Sequence, residues 1–187
     1  MITYQILNMD HAKQLHEVDR SEYIDLIYEV SEQGLVEHKQ DHECANWGQG
    51  QLEEMQDRYI YELQQGGMAY GAFDGTRLVG FGVLAHQFRG KEQNQLQLDL
   101  MYVSRAYRRQ GIGTRILAFL SEEARMRGAQ SLYISSTETR SAVSFYQSQG
   151  SEVTGEVDEE LYAKEPKDIH MVKELNDDDG WFVRNHS

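Results

Sequence analysis

Residues 98–120, LDLMYVSRAYRRQGIGTRILAFL, decide how this chain is read. The apolar run from Leu98 to Val103 suits a strand that ends buried. From Ile112 onward, Ile116, Leu117, Leu120 and Ala124 fall in one stripe at helical spacing, and Gly128 is placed to stop the helix. Between strand and helix, Arg105, Arg108, Arg109 and Gln110 crowd beside Gly111 and Gly113. A helix N-terminus leaves unpaired N–H groups and the positive end of a dipole. Glycines there allow unusual backbone angles and close approach, and the arginines add charge. The combination predicts an anion cradle, most simply for a phosphate or pyrophosphate.

Two phosphate motifs are ruled out. Neither glycine is followed by Lys-Ser or Lys-Thr, so the P-loop is absent, and the third glycine position of GxGxxG holds Ile116. What remains is R/Q-x-x-G-x-G over Arg108, Arg109, Gln110, Gly111, Ile112 and Gly113. Alone, this pattern also fits an ordinary strand-to-helix turn carrying surface arginines.

The flanks supply the context. ITYQIL alternates as a strand does, and HAKQLHEVDRSEYIDLIYEV has apolar residues at helical spacing, so a helical region is expected there. GLVEHKQDHECANWGQG suits a strand ending near Trp47. GQLEEMQDRYIYELQQGG suits a helix with Leu52, Met55, Tyr59 and Leu63 on one face and Gly66-Gly67 as its stop. MAYGAFDGTRLVGFGVLAHQF reads as a hairpin turning at Asp74-Gly75. NQLQLDLMYV and SLYISS are strands, RSAVSFYQSQG is a helix, and SEVTGEVDEELYAKEPKDIHMVKEL offers one or two closing strands around an acidic loop. The expected architecture is α/β (α+β): a central mixed sheet with flanking helices, one domain over 1–175, and a polar tail over 176–187, NDDDGWFVRNHS, acting as a flexible end or docking segment.

The chain's bulk properties narrow the function. The 187 residues carry 18 basic and 31 acidic side chains, a formal net charge of −13, which argues against a nucleic-acid partner and favours cationic small molecules. No apolar run nears the ~20 residues of a membrane span, and the start MITYQILNMD has no basic region followed by an apolar one, so no membrane partner and a cytoplasmic location are expected. Cys44 is the single cysteine, so no intrachain disulfide forms.

Taken together, LDLMYVSRAYRRQGIGTRILAFL and, some thirty residues on, LYISSTETRSAVSFYQSQG resemble the family of GCN5-related N-acetyltransferases (GNAT). The first run is similar to the family's strand, R/Q-x-x-G-x-G/A loop and long helix, and the second to its next strand and A-x-x-F-Y-x-x-x-G helix. DIHMVKEL looks like the closing strand. The likeness covers residues 68–175 by sequence and the first 65 by element order. Arg105 stands where the family often has proline, Thr139 where it often has asparagine, and Ser151 follows Gly150 where phenylalanine is common.

The resemblance implies a mostly antiparallel sheet with a splayed strand pair between NQLQLDLMYV and SLYISS. It implies acetyl-CoA as co-substrate and no metal. Backbone amides from Arg108 to Thr114, including Arg109, Gln110, Gly111, Ile112 and Gly113, would bind the CoA pyrophosphate. The backbone of Met101 and Val103 would pair with the pantetheine arm, and the amide near Met101 would polarise the thioester carbonyl. Tyr146 aligns with the tyrosine that protonates the departing thiolate, although Phe145-Tyr146 also suit helix-to-sheet packing. Family members are often homodimers, though no residue here points to one.

The residues themselves suggest further roles. Asp99 interrupts an apolar strand just before the acetyl position, and simple alternation puts it on one face with Gln97 and Met101. It is the expected general base, or else a strand-edge carboxylate with a structural bond, and Glu138 is a second choice. Glu17, Asp19, Glu22, Asp25 and Glu29 form either a solvated helix face or a recognition surface for a cation. His38, His42 and Cys44 lack metal-ligand spacing and are expected to line the acceptor cleft with Trp47. The expected activity is direct acetyl transfer to a primary amine of a small polar or cationic molecule. A protein amine as acceptor, or a non-catalytic acyl-CoA-binding module, are the alternatives.

Overall fold

The computed structural model describes residues 1–175. Strand β1 (Ile2–Leu7) leads through a 3-10 helix (Met9–Glu17) to β2 (Glu22–Ser31) and β3 (Gly34–Cys44). Helix α1 (Gln49–Gln64) precedes three strands, β4 (Met68–Asp74), β5 (Arg77–Arg89) and β6 (Gln95–Val103). Helix α2 (Ile112–Met126) crosses to β7 (Ser131–Ser136), followed by α3 (Arg140–Ser148), β8 (Ser151–Val153), α4 (Glu159–Lys164) and β9 (Ile169–Glu174). One sheet runs in the order β1-β4-β5-β6-β7-β9-β8, and β2-β3 form a separate hairpin. Every neighbouring pair is antiparallel except β6 and β7. A parallel pair needs a crossover, and α2 with its preceding loop supplies it.

The mixed, mostly antiparallel sheet expected from the sequence is present. Asp74 pairs with Arg77 across the tight turn read at Asp74-Gly75. Helix α1 ends as Gly66-Gly67 predicts: Gly66 takes φ +104°, its N–H donates to Leu63 O, and the Gly67 N–H reaches Glu62 O at 2.7 Å. That double bond closes the helix end while the left-handed residue turns the chain out.

One expectation changes. Residues 11–30 do not form helices throughout: a 3-10 helix ends at Glu17, and Glu22–Ser31 is the strand β2. Ile24, Leu26 and Tyr28 fit period two as well as a loose helical spacing, and pairing with β3 decides between them. Local pattern cannot see that partner. Residues 151–175 hold two strands as expected, β8 and β9, and between them α4, whose start is capped by the Asp158 side chain accepting from Leu161 N–H at 3.0 Å. The polar tail lies outside the described residues.

The sheet buries apolar side chains on both faces. Leu96, Leu98, Ile116, Leu120, Leu132 and Ile134 fill the layer under α2. Leu15, Val18, Met55, Tyr59, Phe81 and Leu100 fill the layer under α1 and the 3-10 helix. Met55 and Tyr59 lie on the predicted inner face of α1, with Leu52 and Leu63 packed at its margin. Thr139 serves as the α3 cap, accepting from Ala142 N–H at 3.4 Å. No helix among the described residues is long and apolar enough to cross a membrane.

The α1 stop is testable by stability. A Cβ on Gly67 would come within 2.7 Å of Leu84 O and 2.9 Å of Glu62 O, both backbone atoms that cannot turn aside. Gly67→Ala is expected to lower unfolding stability by about 1–3 kcal/mol, read from urea melts.

Candidate active site

Strand β6 pairs fully on one side and only in part on the other. With β7 it makes the rungs Gln95↔Ser131 to Leu98↔Ile134, and beyond them the strands part while β6 continues to Val103. Toward β5 it stays paired through Gly80↔Val103. Ser104 N–H donates to Val79 O at 2.8 Å, so that pair exchanges ladder bonds. Hydrogen-bonded and open pairs alternate in an antiparallel ladder. Val103 and Met101, opposite Gly80 and Gly82, therefore turn their N–H and C=O groups away from β5 and into the gap beside β7. The splayed pair expected from the sequence is present at the expected strands.

A bulge precedes the gap. Val83 pairs with Leu100 but Leu84 pairs with Leu98, which leaves Asp99 as an extra residue in β6. Each residue after it is shifted by one in parity. Leu96, Leu98, Met101 and Val103 consequently pack on the α2 side, and Leu100 and Tyr102 on the α1 side. The expectation that Asp99 and Met101 share a face fails for this reason. Asp99 instead meets α1: Arg58 Nε donates to both its carboxylate oxygens at 3.0 Å, and Arg58 Nη2 pairs with the same carboxylate. The Asp99 side chain is 5% exposed, and burial pushes its carboxyl above the ordinary range against the pull of Arg58.

At the expected cradle the basic loop presents mainly backbone groups. Arg109 takes φ +61° and Gly111 φ +82°, two left-handed residues just before α2. No side chain caps that helix, and its first internal bond is Arg115 N–H to Gly111 O at 3.1 Å. The N–H groups of Ile112, Gly113 and Thr114 thus have no partner within the helix. The two glycines differ in purpose. Gly111 supplies the left-handed angle, whereas a Cβ on Gly113 would press to 3.2 Å from the Phe145 ring of α3. The arginines differ too. Arg108 turns back, donating through Nε to Val103 O at 2.9 Å and through Nη2 to Asp19 O at 3.3 Å, with Glu22 at 3.9 Å. Arg105 pairs with Glu43. Both tie the loop to the β2–β3 hairpin, so the expected charge of Arg108 is compensated and Arg109 is the exposed cation of the motif. Gln110 donates to Ala106 O at 3.4 Å within the loop.

The hairpin makes one wall of a cleft. Tyr28 N–H donates to Glu138 O at 2.8 Å and Ile27 bridges to Thr139, which docks β2 on the start of α3. Ser141 Oγ donates to Glu22 at 2.7 Å, and Arg140 pairs with Asp25 at 3.4 Å. Glu17 accepts from Leu78 N–H at 2.7 Å. Most of the acidic residues read as a helix face are thus structural bonds of a strand and its neighbours. Glu29, paired with His38 at 2.8 Å, lines a hollow of about 640 Å³ with Tyr28, Glu138 and Asp168. Trp47 donates to Val18 O and stands edge-on to Tyr102 at 4.9 Å, on the α1 side of the sheet. His42 and Cys44 do not line that hollow. A hollow of about 820 Å³ lies at the far end of β6, bounded by Gly90, Glu152 and Asp158, and no expected site residue borders it.

Tyr146 projects from α3 into the apolar layer, 8% exposed. Burial first, then the proximity of Tyr102 and Asp168, pushes its phenol well above the ordinary value, so it stays protonated across the physiological range. Asp168, just before β9, accepts from Ser135 Oγ at 2.8 Å. Burial pushes its carboxyl up to about 6, helped by Glu165 and Glu138 and opposed by the Ser135 bond and Arg58.

A sequence model of the acetyltransferase (GNAT) family matches residues 32–150. The chain belongs to this family. Among solved structures, nourseothricin acetyltransferase is similar at TM-score 0.71 and 20% identity, over 94% of this chain and 99% of that one. A Bacillus anthracis str. Ames protein described as a streptothricin acetyltransferase, crystallised with acetyl coenzyme A, is similar at 0.69 and 17%, over 94% and 99%. The PaiA N-acetyltransferase of Thermoplasma acidophilum, crystallised with coenzyme A, gives 0.61 and 18%, over 93% and 99%. These likenesses support the fold. No curated protein matches the sequence.

Met101, Val103, Ile112 and Tyr146 share the apolar layer on the α2 side, while Asp99 turns to α1 and Arg58. Asp168 escaped the sequence reading. It stands in EPKDIHMV as one more acid of an acidic loop, and only the chain path places it beside the splay. The Arg58–Asp99 pair can be tested directly. Arg58→Ala leaves a buried carboxylate unpaired and is expected to cost about 1–3 kcal/mol at pH 7, less than a wholly buried pair because Arg58 is half exposed. The loss should shrink in urea melts near pH 4, where the orphaned carboxyl binds a proton.

Proposed function

We propose that the protein is an acetyl-CoA-dependent N-acetyltransferase in which a primary amine of a small polar or cationic molecule attacks the thioester directly. The observation that carries this reading is the backbone of Met101, and the N–H of Val103, turned into the gap beside an uncapped α2 N-terminus, with the Val103 carbonyl already held by Arg108. Buried N–H and C=O groups are seldom left without partners, and an extended amide-bearing chain lying in the gap would satisfy them as an added strand. A pantetheine arm is such a chain, and the N–H groups from Arg109 to Thr114 suit the pyrophosphate at its end. The solved structures holding acetyl coenzyme A or coenzyme A share this fold. The nourseothricin and streptothricin enzymes support a small-molecule acceptor, as does the carboxylate-lined hollow beneath the hairpin.

The chemistry then follows from the gap. The Met101 N–H stabilises the thioester oxygen as negative charge grows on it. The amine lone pair forms the C–N bond, the C–S bond breaks, and sulfur leaves with the electron pair. Tyr146, held protonated by burial, gives that sulfur its proton. Asp99 holds Arg58 and fixes the bulge; with both oxygens occupied by the guanidinium it is poorly placed to act as the base.

Thiol release from acetyl-CoA, measured with a panel of primary amines, tests the proposal. At least one amine should stimulate release, and Tyr146→Phe should lower kcat by about 100-fold or more while leaving the CoA dissociation constant within about twofold. If CoA binds, no amine stimulates release and Tyr146→Phe changes nothing, the catalytic reading is lost and a binding module takes its place.

A further inference from the structure

We propose that Asp168 is the proton acceptor for the incoming amine, and that the amine reaches it through the hollow between the β2–β3 hairpin and the segment leading into β9. This inference rests on the acetyltransferase reading and adds to it the residue that readies the nucleophile.

Position is the first argument. The last rung between the splayed strands is Leu98↔Ile134, and Ser135 is the first β7 residue beyond it. Ser135 Oγ donates to Asp168 Oδ2 at 2.8 Å, so the carboxylate is fastened where the strands part. The second argument is access. Asp168 borders the 640 Å³ hollow together with the carboxylates of Glu29 and Glu138, with Lys167 as the one lysine or arginine of its lining, so the carboxylate is reached from a hollow that carries more acid than base. A protonated amine is attracted into such a hollow.

The third argument is electrostatic. Asp168 lies within electrostatic reach of Tyr146 and Tyr102, adding a small push to phenols that burial already raises. The groups facing Asp168 are Ser135 from β7, Glu138 before α3, Glu165 after α4, Arg58 from α1, and, around the hollow, the Glu29–His38 pair, Tyr28, Tyr162 of α4, His170 of β9 and Lys167. Burial and the two glutamates outweigh Ser135 and Arg58, and the carboxyl sits at about 6. A group with that affinity is ionised at neutral pH yet basic enough to accept a proton. Asp99, by contrast, has both oxygens bound by Arg58.

The proton balance closes. An ammonium gives one proton to Asp168, which passes it to solvent through the hollow. The freed lone pair attacks, and the second proton lost from nitrogen replaces the one that Tyr146 delivers to sulfur. The sum is amide, free thiol and one proton released.

The test is the pH profile of kcat/KM for thiol release, with acetyl-CoA and a panel of propylamine, putrescine, lysine and spermidine. The wild-type rate should fall below about pH 6 as Asp168 protonates. Asp168→Asn should lose that acidic limb and about 100-fold in rate at pH 7, with CoA affinity unchanged. Ser135→Ala removes a bond that favours the charged carboxylate, so its inflection should move to higher pH, a shift that loss of packing alone would not produce. In carbon-13 spectra of the CoA complex, the carboxyl signal missing from Asp168→Asn should titrate at the same inflection. If an amine stimulates release but Asp168→Asn keeps its rate and acidic limb, or if the Ser135→Ala inflection stays put, the base assignment is overturned while acetyl transfer stands. If no amine in the panel stimulates release, the acetyltransferase reading falls with it.

Discussion

The backbone of β6 must satisfy its hydrogen bonds on two sides, and past Leu98 strand pairing meets that demand on only one, with Arg108 Nε reaching the Val103 carbonyl on the other. Antiparallel pairing with β5 continues to the strand end, while β7 turns away after four rungs. An unpaired backbone amide shielded from water costs about as much as a lost hydrogen bond, so the open edge at half-buried Met101 favours any chain that can pair with it. The remaining features of the site serve that opening. The bulge at Asp99 resets parity so that the Met101 side chain packs under α2, and α2 starts where the gap ends. Helix α3 carries Tyr146 to the other side.

Holding the gap open requires that its two walls be fastened elsewhere. The β2–β3 hairpin does much of this work. It is bound to α3 through Tyr28 and Ser141, and to the basic loop through Glu22, Glu43 and the Asp19 carbonyl. These are mostly exposed or half-exposed contacts, each worth little singly. Their number and their spread along one hairpin explain how a two-stranded element with few buried side chains keeps a fixed place. Arg105 and Arg108 thereby carry a structural duty, and on the proposed reading anion binding is left to the backbone dipoles at the start of α2 and to Arg109.

The chain shows which levels of structure are legible in sequence. The loop, its following helix, the Phe145-Tyr146 helix and the Asp74-Gly75 turn depend on residues within a few positions of one another, and they were readable. The strand identity of residues 22–31 depends on pairing with residues 34–44, and the helical spacing of its apolar residues concealed it. Asp99 shows a subtler limit. Its ionisable character was plain in an apolar strand, but its face depends on one extra residue in the β5–β6 register, and alternation counts every residue alike. Arg58 could not be linked to it because the two lie 41 positions apart. Asp168 was hidden by its own company of acidic neighbours.

On the proposed reading, charge is divided to suit a reaction between a polyanion and a cation. The cradle is the uncapped end of α2 with Arg109, set on one side of the gap, and the carboxylates of the hairpin hollow stand on the other. A protein of net charge −13 would repel a polyphosphate at most of its surface, so confining the positive field to one helix end directs that ligand to a single approach. The same negative surface favours an ammonium at the opposite mouth. Between them, burial acts on two groups with opposite use: it holds the Tyr146 phenol protonated, fit to donate, and raises the affinity of the Asp168 carboxylate, fit to accept. Desolvation disfavours the charged form of each, and the roles diverge because one group is neutral at physiological pH and the other remains ionised.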